Sequence, residues 1–150
     1  PLLGVMDQPF TGERFWSGAR GAYMQEAEGK PRRVRTRGCA QVKDAILMTT
    51  SPDLLAPGVE TEAFLRVKQQ ARMTRYGGDC YAYCLLAAGF VDLVIEAGLK
   101  SYDIAALIPI VERAGGRITT WSGEPAAQGG RIVASGDPAL HAKVLKLLNR

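Results

Sequence analysis

Asp79, Glu96 and Asp103 each stand where the residue pattern expects a regular element to begin or end, and not on a solvated face. Ends of strands and helices are where α/β proteins assemble sites. Glu96 closes the mostly apolar stretch Val91 to Ile95, so packing explains a carboxylate there poorly. Asp103 opens a helical pattern. An acid in that place complements the positive end of the helix by about 0.3–1 kcal/mol. It can equally be a hard oxygen ligand for Mg2+, a cation that favours carboxylates and retained waters. Asp79 follows Gly77-Gly78 and precedes another helical pattern. As a helix cap it would contribute about 1 kcal/mol. Helix starts also attract anions, but Asp79 would repel a phosphate placed directly on this one. The two glycines let a ligand approach the backbone closely. Asp79 and Glu96 together favour a cationic or hydroxyl-rich part of a ligand.

Other reactive residues point elsewhere. His141 is the only histidine and is expected on the surface of the last helix, so a Ser/His/Asp or Cys/His relay has no evident base. Cys39, Cys80 and Cys84 form an odd set without a CxxC pair. Cys80 and Cys84, spaced i and i+4, read as small buried apolar groups and not as a disulfide or zinc site. That usage fits a reducing cytosol, and a cytoplasmic location is expected. No G-x-x-x-x-G-K-[ST] loop and no G-x-G-x-x-G fingerprint is present. Tyr81 and Trp121 read as core or rim.

The elements that position these residues follow from periodicity and turn signals. Residues 1 to 29 read as short strands, Leu2 to Met6, Glu13 to Trp16 and Ala22 to Gln25, separated by turns. Two or three strands are too few for an independent core, so this part should complete a sheet together with other elements. Residues 30 to 38 read as a polar connector. Ala45 to Thr49 is a buried strand, Glu60 to Arg72 a helix, residues 79 to 88 an apolar helix stopped by Gly89, and Val91 to Glu96 a strand covered on both faces. A helix is expected over Tyr102 to Ala114, with a kink or late start at Pro109 and a stop at Gly115-Gly116. Arg117 to Trp121 and Arg131 to Ala134 are strands, and Asp137-Pro138 opens the last helix. The alternation predicts an α/β layer structure from about residue 38 onward.

The 150 residues are 47% apolar and 23% charged, ordinary globular usage. A chain of this size buries roughly 70% of its unfolded surface. No run of 18 or more apolar residues exists, which argues against a membrane-spanning helix. Net charge is +4, with much of the excess in Lys30 to Arg37. That run can be a nucleic-acid footprint. A solvated connector is favoured, because no aromatic platform is interleaved with it, and nucleic acid is not the expected partner.

The stretch Gly77-Gly78-Asp79-Cys80-Tyr81, Tyr102-Asp103-Ile104-Ala105-Ala106 and Glu112-Arg113-Ala114-Gly115-Gly116 resembles the second signature of the inositol monophosphatase family of magnesium-dependent phosphatases. That signature is an acidic strand end, an aromatic-Asp pair opening a helix, then Glu-Ala-Gly-Gly, which Arg113 interrupts here. The likeness extends to Gly4-Val5-Met6-Asp7-Gln8-Pro9. It implies a magnesium ligand at Asp103 and a substrate-hydroxyl contact at Glu96. It also implies a layered α-β-α-β-α sugar-phosphatase fold, of which residues 38–150 would be the C-terminal α/β domain and residues 1–37 the last strands of the N-terminal α+β domain. The Gly-Gly-Asp-Cys-Tyr run resembles the histidinol-phosphatase branch, and Gly78, Asp79, Cys80 and Glu96 would then bind the alcohol part. Histidinol carries an amine and an imidazole, both cationic when protonated, which two carboxylates suit.

The family's first signature, an Asp-Pro-Ile-Asp-Gly-Thr run with an upstream Glu, does not occur here. The chain is therefore expected to be a piece of a phosphatase carrying half a site, inactive alone and a homodimer when whole. An inositol 1-phosphatase, a sugar or nucleotide bisphosphatase, and a non-catalytic protein- or RNA-binding member are the alternatives.

Overall fold

The computed structural model describes residues 1–150 as two sheets and five α-helices. Strands β1 (Val5–Gln8), β2 (Glu13–Gly18), β3 (Gly21–Glu26) and β4 (Arg32–Val34) form an antiparallel meander in that order. Their side chains alternate between faces. Met6, Phe15, Ala22, Met24 and Val34 are buried on one face, while Trp16 and Tyr23 stack on the other, 5.8 Å between ring centroids. The polar connector expected over residues 30 to 38 is corrected here: its Arg32–Val34 part pairs with β3 and contributes Val34 to the core. Three residues with one apolar side chain are too short to show an alternation.

The second sheet has the order β6-β5-β7-β9-β8. Its strands are β5 (Ile46–Thr49), β6 (Met73–Tyr76), β7 (Leu93–Leu99), β8 (Arg117–Thr120) and β9 (Gly130–Ser135). β5 runs parallel to β6 and β7, and β9 runs antiparallel to β7 and β8. The helix read over Glu60 to Arg72 is shorter, α1 (Val59–Lys68), and the chain re-enters the sheet at once as β6. Nothing in Met-Thr-Arg-Tyr announces a strand, because this edge segment pairs only with β5 and stays half exposed.

β7 is covered on both faces, as its apolar run requires. Leu93, Ile95 and Ala97 pack with Phe64 of α1 and with Leu140 and Val144 of α5 (Pro138–Leu148). Val94 packs on the opposite side, with α2 (Asp79–Ala87) and α4 (Leu107–Ala114). That second cluster also takes in Met6, Phe15 and Met24, so α2 and α4 lie between the two sheets. The layers run α-β-α-β, the α/β architecture expected.

Three tethers hold the layers in register. Asp92, fully buried, accepts both prongs of the Arg37 guanidinium at 2.7 and 2.6 Å and the Ile46 N–H at 2.7 Å. Arg37 is thus a structural residue, not a solvated member of a basic run. Arg113 donates to the carbonyls of Gly18 and Ala19 at 2.9 and 3.1 Å, fastening α4 to the β2–β3 turn. Gly4 lies so close to the junction before α4 that a Cβ there would overlap the Ala106 carbonyl.

The helix expected over Tyr102 to Ala114 is divided into α3 (Ser101–Ile104) and α4. Pro109 falls in the first turn of α4, where its missing N–H costs no helical bond. Gly115 ends α4 at φ +104°, a conformation that a Cβ would disfavour.

Candidate functional site

The connections leave β5 and β6 toward opposite faces of the sheet: α1 packs in one core cluster and α2 in the other. Such a divergence opens a crevice at the carboxyl ends of parallel strands. A pocket of about 270 Å3 lies there, and Thr50, Asp79, Cys80, Tyr83, Glu96, Leu99 and Asp103 line it. The three carboxylates singled out from sequence are therefore brought together, and Cys80 lies among them. Gly78 does not line the pocket, contrary to expectation. A Cβ on it would come within 3.2 Å of Met48 Cε, so its part is to let the chain turn past β5.

The backbone that presents Asp79 is unusual. Gly77, Gly78 and Asp79 all have positive φ, +84°, +101° and +41°. Glycines take such angles freely, whereas a residue with a Cβ is strained by them, by roughly 1–2 kcal/mol. Asp79 does not cap α2 either: Gly78 is the cap residue and receives no side-chain bond. The Asp79 carboxylate is exposed and makes no hydrogen bond within the chain. Strain without a local benefit is a mark of function.

Glu96 differs in every respect. It is buried, and Thr50 donates to its Oε1 twice, from the backbone N–H at 2.7 Å and from the hydroxyl at 2.9 Å. Burial pushes the carboxyl pKa up, the two Thr50 bonds oppose that, and the Asp79 charge adds to the rise. A bulge in β7 between Glu96 and Leu99 turns the end of the strand and completes the wall.

Asp103 stands at the start of α3, as expected of an acid at a helix end. Its Oδ2 accepts from the Lys100 N–H at 2.7 Å and so caps α3. Its other oxygen has no partner in the chain. No three His, Cys, Asp or Glu side chains come together as a metal site. The donors of residues 1–150 thus do not by themselves make up the magnesium site that the family likeness implies: Asp103 can give one oxygen, and Mg2+ asks for near-octahedral coordination.

Cys80 is exposed, which corrects its assignment to the core, while Cys84 is buried as expected. Partial burial and the nearby Asp79 push the Cys80 thiol up, so it stays protonated. Tyr81 is structural: its hydroxyl donates to Glu13 Oε2 at 2.6 Å, joining α2 to β2. Trp121 is buried and donates to the Ile132 carbonyl at 3.1 Å.

His141 is not a surface residue. It is buried, with Nδ1 2.6 Å from Ser135 Oγ and Nε2 2.9 Å from Thr119 Oγ1. It is not among the residues lining the pocket, and it holds α5 to β8 and β9. Three pocket residues escaped the sequence reading, Thr50, Tyr83 and Leu99. For Thr50 the available signal was a polar residue just past a buried strand, and for Tyr83 the i, i+4 spacing from Asp79.

The sequence profile of the inositol monophosphatase family matches residues 1–150. The chain is 43% identical over 157 aligned residues to the chloroplastic bifunctional phosphatase IMPL2 of Arabidopsis thaliana, covering 99% of this chain and 44% of that protein. It is 34% identical to the histidinol-phosphatase of Mycobacterium tuberculosis, covering 99% of this chain and 57% of that one. Among solved structures, an inositol monophosphatase from Zymomonas mobilis superimposes with a TM-score of 0.91 at 37% identity, over 100% of this chain and 58% of that one. The chain spans about half the length of the relatives it matches.

Proposed function

This chain belongs to the inositol monophosphatase family, and from that premise we propose that it forms the alcohol-binding side of a metal-dependent phosphate monoesterase whose substrate is histidinol phosphate. The observation that carries the reading is the union of Asp79, Glu96 and Asp103 on one pocket. Three carboxylates around so small a space repel an anion and attract a cation, and the net effect grows as water is excluded. An inositol ring offers only hydroxyls. Histidinol offers an ammonium group and a ring that can be protonated. The likeness to proteins named histidinol-phosphatase supports the same choice.

Each residue has a task in this reading. Asp103 gives its unpartnered oxygen to a magnesium ion whose remaining ligands come from outside residues 1–150. Asp79, exposed and unpaired, faces the ammonium group. Glu96, fixed by Thr50, accepts a hydrogen bond from the alcohol part. Cys80 borders the entrance as a neutral thiol.

The test is a substrate panel run on a longer protein that contains these residues together with the rest of the family's length. In magnesium, phosphate release from histidinol phosphate should exceed that from inositol 1-phosphate by at least tenfold in kcat/KM. A preference for inositol 1-phosphate would overturn the substrate, and release of no phosphate from any monoester would overturn the activity.

A further inference from the structure

Tyr83 is among the largest fully buried side chains of the molecule, 2% exposed, and its hydroxyl has no hydrogen-bond partner. A buried O–H left unpaired is destabilising, because it loses its bonds to water and gains none in return. A phenylalanine would fill the same space without that cost, so packing accounts for the ring and not for the oxygen. Thr49 Oγ1 is also unpaired, but Thr49 does not line the pocket. Tyr83 does.

The placement is specific. Tyr83 follows Asp79 by one helical turn on α2, so the two side chains lie on the same face of the helix. Glu96 and Asp103 are its charged neighbours. Burial first, then those two carboxylates, hold the phenol well above its usual range, so it is protonated at any working pH.

The polar groups of the pocket are otherwise acceptors. Asp79, Asp103 and Glu96 can receive protons from a ligand, and the Thr50 hydroxyl is committed to Glu96. Cys80 is only a weak donor. Tyr83 is left as the strong donor without a partner.

We propose that the Tyr83 hydroxyl donates a hydrogen bond to an uncharged acceptor on the alcohol part of the substrate, a hydroxyl oxygen or an unprotonated ring nitrogen, and so selects alcohols that carry such an acceptor beyond the ester oxygen. The inference rests on the phosphatase reading above and adds to it a specificity-determining contact. It also explains why a buried O–H persists without a partner: the bond is completed only when the ligand arrives.

The experiment is Tyr83→Phe in the longer, metal-loaded protein, with three substrates: histidinol phosphate, inositol 1-phosphate and phenyl phosphate, whose leaving group carries no such acceptor. The expected result is a five- to tenfold rise in KM for the preferred alcohol ester relative to phenyl phosphate, the size of one hydrogen bond. The affinity for the free alcohol, measured by calorimetry, should fall by the same factor. The thermal midpoint should stay level or rise, because the lost hydroxyl had no partner. A falling midpoint with equal losses on all substrates assigns Tyr83 a structural role and overturns the inference, as does an unchanged KM ratio. If the wild type ignores histidinol phosphate but hydrolyses inositol 1-phosphate, the substrate choice fails while the Tyr83 contact is read on the second ester. Wild-type protein that turns over neither alcohol ester overturns both.

Discussion

Thr50 holds one oxygen of Glu96 from two directions, with its backbone N–H at 2.7 Å and its hydroxyl at 2.9 Å both donating to Oε1. These bonds counter the effect of burial, which alone would favour the protonated carboxyl.

Thr50→Val removes the hydroxyl bond and keeps the shape. The Glu96 carboxyl pKa then rises further, and its charged form is lost at a higher pH. The acid limb of the kcat/KM profile for a cationic alcohol ester should move toward neutral pH, with KM affected more than kcat. Thr50→Ser should restore the original limb. A profile that coincides with wild type in the valine variant would show that Glu96 takes no part in binding.

Asp79 and Asp103 should separate by variant. Asp103→Asn in the longer protein should cost at least a hundredfold in kcat with magnesium as the metal, because an amide oxygen is a poor substitute for a charged ligand. Asp79→Ala should cost about tenfold in kcat/KM for histidinol phosphate, the worth of one partly solvated charged contact, and less for inositol 1-phosphate. Equal losses on both esters would deny Asp79 its cationic partner.

Arg37→Ala leaves the Asp92 charge buried with one backbone donor. Breaking such a pair destabilises by about 3 kcal/mol, tempered here by the half-exposed guanidinium. Urea unfolding followed by circular dichroism should show the midpoint falling with an unchanged slope. Arg37→Ala with Asp92→Asn should recover part of the loss, since the amide keeps an acceptor for the Ile46 N–H.

His141 predicts acid sensitivity. Burial, with a contribution from Arg117, lowers its pKa from 6.5 to about 4. The folded state therefore favours the neutral ring, and the unfolded state binds more protons between those values. Its share of the stability is intact above about pH 6.5 and disappears as pH falls toward 4, on the order of 2 kcal/mol in all. Thermal melts from pH 7 to pH 4 should show that slope, and His141→Leu should flatten it. A slope unchanged in the leucine variant would assign the acid sensitivity to other groups.

The sequence disclosed what local pattern governs. Val91 to Ile95 had to be interior, so the carboxylate at Glu96 stood out, and Gly115-Gly116 marked the end of α4. Long-range pairing was hidden. β4 and β6 are strands because β3 and β5 lie beside them, and neither Arg-Arg-Val nor Met-Thr-Arg-Tyr declares it. In sequence Arg37 is one charge in a basic run, and only the fold brings Asp92, 55 positions away, to meet it. His141 carries no local sign that Thr119 and Ser135 enclose it. Cys80 and Cys84 share a helix, but the pocket lies over only one of them.

Gly4 touches the carbonyl of Ala106, in the two-residue link between the helix that carries Asp103 and α4. The first strand's approach thereby acts as a shim whose thickness sets the seat of that carboxylate. A single added methyl group would overlap that carbonyl, so a residue with no functional group of its own limits how far the Asp103 carboxylate can shift.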